Sequence, residues 1–134
     1  MSLELSTTVR NARLDAIQTQ IGTSPKLQIW TGGLPANCAA ASTGTKLVEM
    51  ALPSSWMASA AGGTKNLAGS WTASAVAAGI GGYYRIVDAA GTTCHIQGTV
   101  TATGGGGDMT LDNTNIAINQ VVTVTSYTLT DGNP

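Results

Sequence analysis

The sequence predicts a mainly β fold, a β-sandwich of jelly-roll type with one N-terminal α-helix. Three observations carry this. The stretch Tyr83 to Leu111, YYRIVDAAGTTCHIQGTVTATGGGGDMTL, holds the clearest strand pattern in the chain. Short runs of β-branched and aromatic residues recur elsewhere, divided by Gly, Pro, Asn and Asp, which is how sandwiches and jelly rolls read. Only one segment, Ser6 to Ile21, has good helical spacing.

In the central stretch, Tyr83 to Asp88 has strand composition. Asp88-Ala89-Ala90-Gly91 is a turn: the Asp side chain bonds the backbone ahead of it, and Gly supplies the positive φ that closes a hairpin. Thr92 to Thr103 alternates, placing Cys94, Ile96, Gly98 and Val100 on a dry face and Thr93, His95, Gln97, Thr99 and Thr101 on a wet one. Gly104 to Gly107 breaks that strand, since four glycines are costly to order in any regular element. Asp108 to Leu111 resumes it, so the centre reads as a hairpin or meander.

The elements before it follow in order. Leu3 and Leu5 form a short alternating arm ahead of the helix. Ser6 or Thr7 caps the helix. Leu14, Ile17 and Ile21 share a face that Val9 begins, and Arg10, Arg13 and Asp15 take the wet side. Gly22 and Pro25 stop it. Lys26 to Trp30 is a short strand, and Ala36 to Thr45 a small-residue surface loop. Lys46 to Leu52 alternates up to Pro53 and is a second strand. Ser54 to Gly69 reads as a long loop, and Trp71 to Ala78 as a strand with Trp71, Ala73, Ala75 and Ala77 on one face.

Beyond the centre, Asp112 to Asn115 is a turn and Ile116 to Ile118 a strand stub. Gln120 to Thr130 is the last strand, with a bulge near Thr125-Ser126 that brings Val122, Val124, Tyr127 and Leu129 to one side. Asp131 to Pro134 is a frayed tail. The organisation is an arm and helix over residues 1–24 and a single sandwich domain over 25–134.

Composition narrows the function classes. Charged residues are 10% of the chain and the net charge is -1, so no basic patch draws in a nucleic acid or a membrane surface. Leu, Ile, Val and Phe number 26 of 134, low enough for disorder, but disorder also needs the high net charge that is lacking here. The expectation is a folded β protein with a polar, uncharged surface suited to sitting against other proteins. Met1 to Leu5 lacks the basic and apolar regions of a signal peptide, and no apolar run approaches transmembrane length, so the chain is expected to be made in the cytoplasm and not exported by the usual route.

The residues offer little chemistry. His95 is the sole histidine, and its neighbour Cys94 points to the opposite face of a strand, so the two are not a nucleophile and base. One His and two scattered Cys, Cys38 and Cys94, do not make a zinc site; they read as buried thiols, and a bond between them cannot be deduced. Asp108 and Asp112, with Asn113 and Asn115, lack calcium-loop spacing and read as turn formers. Neither Gly104–Gly107 nor Gly62-Gly63-Thr64-Lys65 has the frame of a phosphate-binding loop. No cofactor, metal or catalytic residue is expected. Trp30, Trp56 and Trp71 are the most informative side chains: core of a chain with no Phe, anchors of a protein interface, or stacking platforms for sugars.

RNARLDAIQTQIG, LQIWTGGLP and YYRIVDAAGTTCHIQGTVTATGGGGDM together resemble small virion proteins encoded near the capsid genes of tailed phages. The family resembled is the capsid decoration, or cement, proteins with a jelly-roll-like β fold. The resemblance spans about Arg10 to Thr130 and carries no catalytic motif. It implies a non-enzymatic homodimer or homotrimer on the outer face of the virion shell. There it would clamp neighbouring copies of the phage major capsid protein. Leu3, Leu5 and Val9 are then a candidate subunit-contacting arm, and the three tryptophans candidate contacts. A tail or tail-fibre component and a carbohydrate-binding module using exposed Trp are the alternatives.

Overall fold

A computed structural model describes residues 3–132. The fold is mainly β, with one N-terminal helix and ten strands. Its centre is a curled, mixed six-strand sheet, a half-barrel, and two small two-stranded sheets share its core.

Helix α1 runs Thr7–Ile21. Ser6 caps it as expected: its Oγ accepts from the Val9 amide at 3.2 Å. Gly22, at φ 93°, ends it by donating its N–H to the Gln18 carbonyl. Leu14 and Ile21 are buried and Ile17 packs on the core, but Val9 is 46% exposed and does not extend that face. The expected wet side is where the helix is tied down. Asn11 Oδ1 accepts from the Gly63 amide, and Asp15 Oδ1 accepts from the Ala60 amide and from Lys65 Nζ at 2.6 Å. Arg10 donates to the Asp131 carbonyl, and Arg13 pairs with the Asp131 carboxylate at 3.1 Å. Spacing shows that these side chains share a face; it cannot show that a distant loop returns to meet it. Asp131 is thus anchored where a frayed tail was expected, while Asn133 and Pro134 lie outside the described residues.

The half-barrel comprises β1 (Lys26–Thr31), β2 (Lys46–Ala51), β5 (Gly79–Val87), β6 (Cys94–Ala102), β7 (Met109–Leu111) and β8 (Asn115–Ile116), in the order β2-β1-β5-β6-β7 with β8 on β5. β3 (Thr64–Asn66) pairs with β10 (Thr128–Thr130), and β4 (Trp71–Ser74) with β9 (Val121–Val124). The turn between β5 and β6 follows its expected chemistry: Asp88 Oδ1 accepts from the Thr92 and Thr93 amides, and Gly91 sits at φ 78°. Gly79, Gly81 and Gly82, expected as a lead-in, are inside β5. The expected 54–69 loop contains β3 and buries Trp56 and Met57. The expected strand 120–130 is two strands in different sheets. The chain changes partner between them, and that change, rather than a bulge, lets Val122, Val124 and Tyr127 all be buried.

β7 does not continue a meander. It pairs with β6 in parallel, Val100 opposite Met109 and Ala102 opposite Leu111. Parallel neighbours ordinarily need a crossover of a dozen or more residues. Here the connection Thr103–Asp108 folds straight back along the edge of β6. The four glycines make this feasible. Gly104 and Gly106 take φ of 87° and 79°. A Cβ on Gly105 or Gly107 would lie 2.8 Å from the Thr101 side chain. Thr101 Oγ1 accepts from the Gly107 amide, and Asp108 Oδ2 accepts from the Thr99 amide at 2.9 Å, which closes the return.

Two predictions follow from these contacts. Gly107→Ala should destabilise the fold by about 1–3 kcal/mol in urea unfolding, through overpacking against Thr101. Gly33→Ala, where a new Cβ meets nothing within 4 Å, should shift the midpoint little. The second concerns Lys65, which is 1% exposed beside a half-exposed Asp15. Asp15→Ala strands a buried ammonium, whereas Lys65→Met returns a carboxylate to water and fills its own space. The Ala variant should therefore unfold at lower urea than the Met variant. The Lys65 hydrogen bond, with help from the Ala60 amide, holds the Asp15 carboxyl below its ordinary range. The unfolded chain then binds this proton first on acidification. Stability should be full above the ordinary carboxylate range and fall as pH drops through and below it, less steeply in Asp15→Ala, as thermal melts across pH would show.

Candidate docking surface

The structure divides the candidate residues sharply. Trp56 and Trp71 are fully buried, so they present nothing to a partner or a sugar. This corrects their assignment as subunit contacts: in a chain with no Phe, the core takes them. Trp56 and Trp71 lie 6.0 Å apart, Trp71 and Tyr127 5.5 Å, and Tyr127 meets Tyr84 edge-on at 5.6 Å. Trp30 is half-buried, stacked on Tyr83 at 6.3 Å, with its Nε1 donating to Gln28 Oε1. Leu3 and Val9 are exposed, and Leu5 is half-buried.

The polar candidates serve the fold. Asp108 closes the glycine return described above. Among the described residues, no group of three or more His, Cys, Asp or Glu is placed to hold a metal ion. Cys94 and His95 lie on opposite sides of β6. His95 lines a groove beside α1 with Arg13, Ala16, Ile17, Gln20 and Ile21. Cys94 donates to Cys38 Sγ at 2.6 Å. Cys94 therefore leaves the dry face that alternation assigns it. The cause is a register shift: Ile86 pairs with Ile96 but Val87 with Cys94, so His95 is an extra residue that turns Cys94 away from the core. Among the described residues, no helix is long and apolar enough to cross a membrane.

What remains is a surface. The β4–β9 pair and the pairing of the start of β5 with β8 lie end to end, joined through residues 75–78 on one side and, on the other, a turn in which Gln120 donates its amide to the Ala117 carbonyl. Ser74 is opposite Val121 and Gly79 opposite Ile116, with four residues between on each side. Ala75 bridges that gap, donating its amide to the Gln120 carbonyl and accepting from the Asn119 amide. Burial alternates along 71–80, with Trp71, Ala73, Ala75 and Ala77 inward as expected and Thr72, Ser74, Val76, Ala78 and Ile80 outward; on the partner side Ala117, Ile118 and Asn119 are all exposed at the turn.

The outward side is apolar where it should be polar. Val76 is 60% exposed, Ile80 64%, Ile118 60% and Val121 65%. No Asp, Glu, Lys or Arg occurs between Asn66 and Tyr84 or between Asn113 and Thr130. Beyond β9, a groove of about 170 Å³ is lined by Leu111, Asp112 and Asn113 on one side and Gln120 to Thr123 with Thr125 on the other. The outer edge of the ribbon thus borders a cleft. Sequence reading expected strands at 71–78, 116–118 and 120–130, missed the strand at 79–82, and did not expect this surface. Its signal was the absence of charge from two segments that are distant in sequence and paired in space.

Comparison with protein-family models, with curated proteins and with solved structures gave no match.

The buried Tyr84 and Tyr127 hydroxyls bond each other at 2.7 Å. Burial pushes the Tyr127 phenol up to about 12 and the Tyr84 phenol higher still. Tyr84→Phe should cost about 1–3 kcal/mol in urea unfolding, because it orphans the Tyr127 hydroxyl. Adding Tyr127→Phe should recover part of that loss, which a double-mutant cycle would measure.

Proposed function

We propose that this chain is a structural virion protein, a capsid decoration protein that docks on the outer surface of a phage head and stabilises contacts between major capsid subunits. The carrying observation is the uncharged ribbon with Val76, Ile80, Ile118 and Val121 exposed. An apolar patch ringed by hydroxyl and amide side chains marks a protein-interaction site. Removing such side chains from water favours association, with Asp112 the one charged side chain lining the adjoining groove. A protein that binds the assembled shell more tightly than free subunits stabilises the shell by mass action. Many copies of a modest interface suffice where each bridges subunits already held together. The sugar-binding alternative loses two of its three platforms, since Trp56 and Trp71 are buried.

The test uses purified heads lacking this protein, mixed with the wild type and with a Val76→Lys/Val121→Lys variant. Both substituted positions are mostly exposed, so the variant should melt within about 0.5 kcal/mol of wild type. The wild type should co-sediment saturably with heads and raise the temperature at which they break. The variant should bind at least about tenfold more weakly, since each lysine would lose its hydration in an apolar contact. Binding to purified tails instead of heads would move the protein to the tail. Binding to neither would overturn the reading.

A further inference from the structure

The segment Gly32–Thr45 between β1 and β2 crosses the outer face of the hairpin formed by β5 and β6, and side chains of that hairpin pin it there. The Tyr83 hydroxyl donates to the Thr43 carbonyl at 2.6 Å and accepts from the Thr43 amide at 2.9 Å. Arg85, itself buried, donates to the Asn37 carbonyl and to Ser42 Oγ, both at 3.2 Å. Gln97 Nε2 donates to the Pro35 carbonyl at 2.9 Å. These anchors fall on both sides of Cys38. From the other direction, the extra residue at His95 turns Cys94 onto the same face as Arg85 and Gln97, which share a 3.0 Å hydrogen bond. The two sulfurs, 56 positions apart in the chain, are brought to 2.6 Å. Both residues are half-buried, so a small reagent reaches them from outside.

We propose that Cys38 and Cys94 are a redox-modification site, forming an intramolecular disulfide that fastens the Gly32–Thr45 segment to the β5–β6 hairpin. Two independent features of the fold, a bulge in β6 and a pinned loop, converge on this one contact. Closing it moves the sulfurs by about 0.5 Å. A low-molecular-weight disulfide such as glutathione disulfide is the oxidant. Burial pushes the Cys94 thiol up to about 12, with the Cys38 neighbour adding to the shift, and the exchange balances in the same way whichever of the two sulfurs attacks first. Starting from Cys38, the thiolate attacks one glutathione sulfur, forming a mixed disulfide and expelling a first glutathione thiolate, which takes up a proton. Cys94 then gives its proton to solvent, attacks Cys38 Sγ and expels the second glutathione. Two protein thiols and one glutathione disulfide become one protein disulfide and two glutathione thiols. Two electrons pass from the protein to glutathione. The bond does not depend on what the apolar ribbon docks against.

The experiment takes the full chain, reduced and then exposed to glutathione disulfide, denatures it in iodoacetamide and weighs it. The expected product is a monomer lighter than the reduced chain by two hydrogen atoms, with neither cysteine alkylated and no glutathione retained. Cys94→Ser, treated alike, should keep one glutathione on Cys38. The oxidised wild type should also resist cleavage by a non-specific protease within Gly32–Thr45, and reductant should abolish that resistance. Two alkylatable thiols, a stable glutathione adduct on the wild type, or a covalent dimer on a non-reducing gel would each overturn the proposal.

Discussion

The arrangement of this fold turns on where four buried aromatic rings find partners for their polar tips. The chain has no Phe, so Trp56, Trp71, Tyr127 and Tyr84 fill the space large apolar rings would take, in one line of contacts. Each brings an N–H or O–H that costs free energy if left unbonded in the dry interior. Trp56 Nε1 donates to the Gly22 carbonyl at the end of α1. Trp71 Nε1 donates to the carbonyls of Trp56 and Ala68. One of the two tyrosine hydroxyls donates to the other. The helix end, the 56–68 segment, the small sheets and the half-barrel are thereby fixed relative to one another. Ring packing alone would tolerate sliding; hydrogen bonds at both ends of the line do not.

The same requirement explains which parts of the structure could be read in the sequence. Features with local causes were legible. The Ser6 cap, the Gly22 stop, the Asp88 turn and the inward face of Trp71 to Ala77 each depend on residues a few positions apart. Features whose cause lies across the chain were not. Nothing near Ser54–Gly69 shows that the Gly22 carbonyl awaits Trp56, so the segment reads as a loop although it lines the core. Nothing near Gln120–Thr130 shows that its two halves have different partners, Trp71–Ser74 and Thr64–Asn66. The glycine run was legible as a break but not as a parallel return, because the reason for Gly105 and Gly107 is the side chain of Thr101. The exposed apolar surface belongs to this second kind, since it is made of two distant segments and has no local signature.

Charge is spent inside this protein, and that gives its surface its character. All six basic side chains are engaged. Arg13 pairs with Asp131, Lys26 and Lys46 with Glu49, and Lys65 with Asp15. Arg10 bonds the Asp131 carbonyl, and Arg85 bonds the Gly32–Thr45 segment and Gln97. Hydrogen bonds hold the Asp15, Glu49 and Asp88 carboxyls below their ordinary range: from Lys65 first for Asp15, from Lys46 first for Glu49, and from the Thr92 and Thr93 amides for Asp88.

The exposed ribbon therefore differs from the rest of the surface in kind. Elsewhere, charge pins the helix and the loops. Along β4, β9 and the start of β5 there is none, and valine and isoleucine stand in water. Such residues gain nothing for the isolated chain, whose core is closed beneath them by Trp71, Val122 and Val124. They gain when covered. Charged side chains thus fix the helix and the loops, while Val76, Ile80, Ile118 and Val121 stay exposed.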